Sequence, residues 1–253
     1  MGLKSLDLCG SDMGKALSLL SRLPVPVDHE DQSRAGRLIW AYPLAGAVLG
    51  LIGGAVGAAL LWVGVPAAVA AAVALGALIA MTGGMHEDGL ADCADGTGAR
   101  DRDRILDVMR DSRIGAYGAL ALVVSLLIRW SALSALATPW GLVLAMGLVG
   151  AVSRVPMALM LATLRPARKD GMAASIAAPS LFHAMVAVSL GLLMLFSATG
   201  LAGFLIVPVM GISLVPLIRW ARLRLGGQTG DVLGASQQIS EMSVLVCLAG
   251  LWG

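Results

Sequence analysis

The sequence predicts an all-α membrane protein, a polytopic helical bundle of six to seven transmembrane helices forming a single domain over residues 1–253. Three observations carry that reading. Hydrophobic residues make up 58% of the chain and charged residues 13%, with a mean hydropathy of +0.84, outside the usual range of a soluble domain. Apolar runs recur at close to the roughly 20 residues that a helix needs to cross a hydrocarbon layer about 30 Å thick. The runs are built of Leu, Ala, Val and Met without in–out alternation, which argues against a β-barrel and leaves helices as the way to satisfy backbone groups in lipid.

Taken in order, residues 1–40 form a cytoplasmic or interfacial segment. Lys4, Asp7, Asp12, Lys15, Arg22 and the acidic run from Asp28 to Asp31 interrupt it too often for a cleavable signal peptide. Apolar residues set among charges over 3–23, ending in a Pro-Val-Pro turn, suit either a helix lying in the interface or a flexible tail. The expected spans are 42–63, 66–82, 116–137, 140–161, 181–197 and 201–218, with 239–252 as a seventh of uncertain status.

The connectors at 64–65, 138–139 and 199–200 carry no charge, whereas 16 of the 18 Lys and Arg residues lie in the N-terminal segment or in 83–115, 163–180 and 219–238. Only Arg129 and Arg154 fall inside spans, where helix-end or snorkelling positions would accommodate them. The positive-inside rule places the charged segments in the cytoplasm. No internal repeat of the kind common in transporters is present. The pattern suits a scaffold for a reaction at the cytoplasmic surface, with 83–115 as its catalytic segment. Cys9, Cys93 and Cys247 are widely separated and imply neither disulfides nor a thiolate metal site. A net charge of +2 without a basic, aromatic-rich stretch gives no sign of nucleic-acid binding.

Residues 83–118 contain 8 of the 16 acidic residues. In a helix, Asp88, Asp92 and Asp95 stand at i, i+4 and i+7, within about 60° on one face. Carboxylates so arranged repel one another unless a cation sits among them, and an oxygen-only set favours a hard ion such as Mg²⁺. Gly89, Ala91, Ala94 and Gly96 are expected to leave room for a bulky substrate. A solvated loop balancing its own arginines is the alternative, most of all for Asp101, Asp103 and Asp107. His86 and Glu87 do not complete an HExxH zinc motif, because residue 90 is Leu. His86 is a candidate general base, or equally a supporting, capping or packing residue. Arg104, Arg110 and Arg113, near Asp111 and Ser112, suit phosphate binding, and metal with arginine is the usual equipment of phosphoryl transfer. No GxxxxGK[ST] loop is present. Arg165, Arg168 and Lys169 offer a second phosphate contact or a topological anchor. Asp231, in an expected glycine-rich turn, and Glu241 are candidate further metal ligands.

The stretches HEDGLADCADG at 86–96, MRDSRIGAYG at 109–118, LLSRLPVP at 19–26, YPLAGAVLG at 42–50 and TGDVLGA at 229–235 together resemble the cobalamin synthase (adenosylcobinamide-GDP ribazoletransferase) family. The resemblance implies a multi-pass enzyme of the bacterial inner membrane with its active site facing the cytoplasm. The implied reaction joins adenosylcobinamide-GDP to α-ribazole or its 5′-phosphate, with Mg²⁺ and release of GMP. The family's acidic motif falls on Asp88, Asp92 and Asp95, its DSRIG motif on Asp111, Ser112 and Arg113, and its C-terminal motif on Asp231. Cys93, Val232 and Gln238 depart from the family's usual residues, and the last shifts ligand weight to Asp231 and Glu241. Small-molecule substrates and membrane lipid are the expected partners, with self-association and contact with other cobalamin-assembly enzymes as further expectations. The alternatives are a CDP-alcohol phosphotransferase-like enzyme, whose second DxxxD is missing here, and a divalent-cation transporter, which would need charged groups at mid-membrane depth.

Overall fold

A computed structural model describes residues 8–27, 36–168 and 179–253 of the chain. The regular elements among the described residues are all helices, apart from a single β-bridge between Pro166 and Gln228. Helix α1 (Gly10–Leu20) begins with a reciprocal cap in which Asp12, the third residue, accepts the Cys9 N–H at 3.2 Å. The same carboxylate accepts the Trp40 indole N–H at 3.0 Å, docking α1 on the turn that leads into α2 (Tyr42–Trp62). Gly64, in the left-handed region at φ 86°, turns the chain into α3 (Ala67–Thr82).

Two consecutive left-handed glycines, Gly83 (φ 66°) and Gly84 (φ 69°), then bend the chain by 86° into α4 (Met85–Gly96). Two left-handed residues in succession require glycine, because a Cβ would clash with the backbone there. Helices α5 (Arg102–Val108) and α6 (Ala116–Ala135) follow. The span expected over 140–161 is two helices, α7 (Pro139–Val152) and α8 (Val155–Thr163), broken at Ser153 and Arg154 ahead of Pro156. The chain continues as α9 (Leu181–Thr199), a turn at Gly200, α10 (Gly203–Trp220) with a π-helical last turn at Ala221–Leu225, and α11 (Gly230–Trp252).

Among the described residues, five helical stretches are long and apolar enough to cross a membrane, or six if the bent α3–α4 pair is one span. One of these stretches, Leu181–Leu225, contains both α9 and α10. Its 45 residues would measure about 67 Å as a straight helix, twice the hydrocarbon thickness, so it supplies two crossings. The expected seventh segment starts earlier than Ile239. Helix α11 begins at Gly230, so the polar run through Gln237, Gln238 and Glu241 is helical and buried.

The closest helix pair is α2 with α7. A Cβ on Gly46 or Gly50 would collide with the carbonyls of Gly150 or Met146, and one on Gly54 would lie 2.6 Å from the Leu142 carbonyl. Spacing of four residues aligns these glycines on one face, the small-residue seam by which membrane helices pack backbone to backbone. Helix α11 packs against α4, α6, α7, α8 and α10. Most of the buried apolar residues among those described fall into two clusters. One gathers α1, the start of α2, α5, α8 and the first turns of α11, and the other gathers the middle and far ends of the long helices.

Gly50→Val is expected to force α2 from α7 and cost at least about 1–3 kcal/mol. Thermal unfolding of the detergent-purified protein checks this, Gly76→Val serving as the control because no atom lies within 4 Å of its would-be Cβ.

Candidate functional site

Helix α4 lies antiparallel to both α6 and α11. Its first turn meets Arg129 of α6 and Gln238 of α11, while its last turn meets the N-terminus of α6 and its middle meets the start of α11. Residues 83–115 are therefore not simply a cytoplasmic loop, because the first half of that segment is a helix set among the spans. The small residues of α4 have a different use from the one the sequence suggested. A Cβ on Gly89 would sit 2.7 Å from the Asp231 carbonyl, and one on Gly96 would press on Ile105 and Met109. They admit neighbouring backbone and side chains to α4, and with buried Ala91 and Cys93 they face protein rather than an open space for substrate.

The acidic face forms as its spacing implies. Asp88 is exposed, and Asp92 and Asp95 are half-buried. Asp92 lies within electrostatic reach of Asp88, Asp95, Asp231 and Arg168. Asp95 is already engaged: its two oxygens accept the N–H groups of Gly115 and Gly118, each at 2.8 Å. Here a carboxylate caps the N-terminus of α6, where orphan donors and the helix dipole both favour an anion. Gly115 and Gly118 are required by this contact, since a Cβ on either would strike the Asp95 carboxylate.

Opposite α4, Asp231 stands in the first turn of α11 rather than in a glycine-rich turn. Its Oδ2 accepts from Arg168 Nη2 at 2.6 Å and from Thr229 Oγ1 at 3.1 Å. Two backbone hydrogen bonds bring Arg168 there. The Ala167 N–H donates to the Gln228 carbonyl and the Gln228 N–H to the Arg165 carbonyl, both at 2.8 Å. Left-handed Gly226 (φ 75°) and Gly227, whose Cβ would strike the Arg165 carbonyl, permit this crossing of strands. Arg102 reinforces it by donating to the carbonyls of Leu225 and Ala167. Lys169 lies outside the described residues.

Asp111 and Arg113 pair with each other at the surface between α5 and α6. Arg113 Nε lies 3.0 and 3.1 Å from the two Asp111 oxygens and Nη2 lies 2.6 Å from Oδ2. This hydrogen bonding holds the Asp111 carboxyl down to about 2. Its native pKa being depressed, the carboxylate keeps its partner through the neutral range and loses it only as pH falls through that value. Ser112, Arg104 and Arg110 are exposed on the same segment.

Two candidates are placed elsewhere. His86 is 2% exposed, packed against Gly234 with no partner for Nε2, and is not at a surface where a substrate proton could reach it. Glu241 is ten positions beyond Asp231 on α11, about 15 Å along the axis. Its Oε1 accepts from Arg129 Nη1 at 3.3 Å and its Oε2 from Gln237 Nε2 at 2.5 Å, in the bundle interior.

Among the described residues no three His, Cys, Asp or Glu side chains form a ready-made metal cage. The donor set nevertheless fits Mg²⁺. Asp88, Asp92 and Asp231 are oxygen donors, and three carboxylates against the single Arg168 leave two negative charges uncompensated. Mg²⁺ characteristically keeps much of its water and binds one or two carboxylates together with substrate phosphates.

A family model described as cobalamin-5-phosphate synthase matches residues 12–249. The chain belongs to that family. It is 44% identical over 239 residues to the adenosylcobinamide-GDP ribazoletransferase of Mesorhizobium japonicum, covering 93% of this chain and 91% of the relative. Proteins of the same name from Bradyrhizobium diazoefficiens (40% identical, 94% and 93% covered) and Azorhizobium caulinodans (41%, 93% and 94%) are similar throughout. No solved structure matches the chain. The resemblance read from the acidic and DSRIG motifs is thereby confirmed at the level of the family.

The sequence reading missed Glu87, Gln237, Ser125 and Ser153, which join Arg129 and Glu241 inside the bundle. Arg129 and Arg154 are fully buried and do not snorkel. Charged residues within otherwise apolar runs were the available signal.

Asp95→Ala removes the carboxylate that caps α6 and is expected to cost about 0.5–2 kcal/mol of stability. Asp92→Asn, which breaks no such cap, leaves the thermal midpoint unchanged or raises it by relieving repulsion; paired melting curves of the two variants test this.

Proposed function

We propose that this chain transfers the cobinamide phosphate of adenosylcobinamide-GDP to α-ribazole or its 5′-phosphate and releases GMP, in a Mg²⁺-dependent reaction at the cytoplasmic face of the bacterial inner membrane. The observation that carries the reading is the meeting of Asp88 and Asp92 on α4 with Asp231 and Arg168 on separate elements, in a family whose relatives bear that enzyme name. The Mg²⁺ ion, held by Asp88, Asp92 and Asp231, would neutralise pyrophosphate charge and polarise its oxygens.

The rest of the chemistry falls to the chain. A ribazole hydroxyl attacks the cobinamide-linked phosphorus, the new P–O bond forms, and the bond to the bridging oxygen breaks so that GMP leaves with its electron pair. A carboxylate of this cluster, rather than the buried His86, accepts the hydroxyl proton. Arg168, beside Asp231, would offer its guanidinium to a substrate phosphate. Arg104, Arg110 and Ser112, exposed beside the Asp111–Arg113 pair, offer donors for the guanosine-bearing phosphate. The short uncharged connectors at the opposite end of the bundle, with the Lys and Arg residues at this end, support the cytoplasmic orientation.

The test is GMP release by detergent-purified protein supplied with adenosylcobinamide-GDP, either ribazole form and Mg²⁺. Release is expected to stop with EDTA and to fall at least about 100-fold in Asp92→Asn, which removes a ligand of the cation. Folded protein that releases no GMP with either acceptor would overturn the reading.

A further inference from the structure

Two arginines and two glutamates lie together inside the bundle. Arg129, 1% exposed at its side chain, donates through Nη1 to Glu87 Oε1 at 2.9 Å and to Glu241 Oε1 at 3.3 Å. Gln238 Nε2 also donates to Glu87 Oε1, at 3.1 Å, and its own Oε1 accepts from Ser125 at 3.1 Å. Gln237 links Glu241 to Ser153. Arg154, seated at the break between α7 and α8 and bonded to the Gly150 carbonyl at 2.8 Å, feels the charges of both glutamates. Two cations against two anions make the group neutral, the condition for placing such residues at this depth. Apolar side chains of similar volume would hold helices together as well or better. The network therefore calls for a role beyond adhesion.

The backbone supplies that role. Helix α4 hangs from the Gly83–Gly84 joint, whose two left-handed residues carry no side chain to set the helix's rotation. Its last turn is fixed by Asp95 on the N–H groups of Gly115 and Gly118. Its first turn is fixed by Glu87, gripped by Arg129 and Gln238. Asp88 and Asp92 lie one and five positions after Glu87, about 100° and 140° further round the helix. Holding Glu87 toward the interior thus turns these two carboxylates away from it, toward Asp231 and Arg168.

We infer that Arg129 is a positioning residue of the active site: by gripping Glu87 of α4 and Glu241 of α11 together, it sets the rotation of α4 that presents Asp88 and Asp92 opposite Asp231. The inference rests on the proposed cation site.

The experiment measures Mn²⁺ binding by electron paramagnetic resonance to the full chain in detergent, with Mn²⁺ as the spectroscopic stand-in for Mg²⁺. It is run beside the Mg²⁺ concentration for half-maximal GMP release. Arg129→Gln is expected to weaken Mn²⁺ binding and raise the half-maximal Mg²⁺ by about tenfold or more, the usual effect of losing a partner that orients metal ligands. Arg129→Lys, still able to hold one carboxylate, should recover most of that loss. Should Arg129→Gln fail to fold, the double variant Arg129→Met, Glu241→Met leaves Glu87 and Arg154 as a balanced pair and is expected to show the same weakening. A folded variant of either kind that binds Mn²⁺ as tightly as the wild type overturns the inference while leaving the cation site standing. Wild-type protein that binds no Mn²⁺, or binds it equally with Asp92→Asn, overturns the cation site and this inference together.

Discussion

The site depends on a twelve-residue helix being held at both ends. Helix α4 carries two of the three carboxylates assigned to the cation, and the chain leading into it is a pair of glycines that cannot fix its rotation. One end is set by a carboxylate at a helix N-terminus and the other by a buried ion pair. These two contacts differ in energetic character. The first satisfies donors that every helix leaves open. The second takes charges out of water, which is costly and repaid only by good geometry and a full set of partners.

Other features support α4 and the elements facing it. Glycines at 89 and 96 let α11 and α5 approach it, and glycines at 226 and 227 let the Arg165–Arg168 strand cross the start of α11. The α2–α7 glycine seam and the apolar clusters build the wall behind them. Arg102, read among the acids and bases of one exposed run, fixes that crossing through two backbone carbonyls.

The spans were legible in the sequence, because length and hydropathy are direct consequences of the bilayer as solvent. Spacing also placed Asp88, Asp92 and Asp95 on one face, since helical periodicity needs no tertiary information. What periodicity could not reveal was which of the three is already engaged. Asp95 is drawn to donors twenty and twenty-three positions away. Glu241 was grouped with Asp231, ten positions before it, as a candidate ligand, yet helix α11 carries it too far from Asp231 and into the reach of Arg129. His86 sits beside the acids in sequence, but helical rotation takes it to the buried face against Gly234. Each of these errors came from treating neighbours along the chain as neighbours in space.

The double-glycine joint also bears on the lipid around the protein. Membrane helices adjust to the local hydrocarbon thickness by tilting, and a continuous helix from α3 to α4 would pass any such tilt directly to the carboxylates. The 86° bend at Gly83 and Gly84 interrupts that lever. Helix α3, with Val69 and Val73 exposed on its outer side, can follow the bilayer while α4 keeps its grip on α6 and α11. The joint thus separates an element that must accommodate fluid surroundings from one whose groups must hold fixed distances.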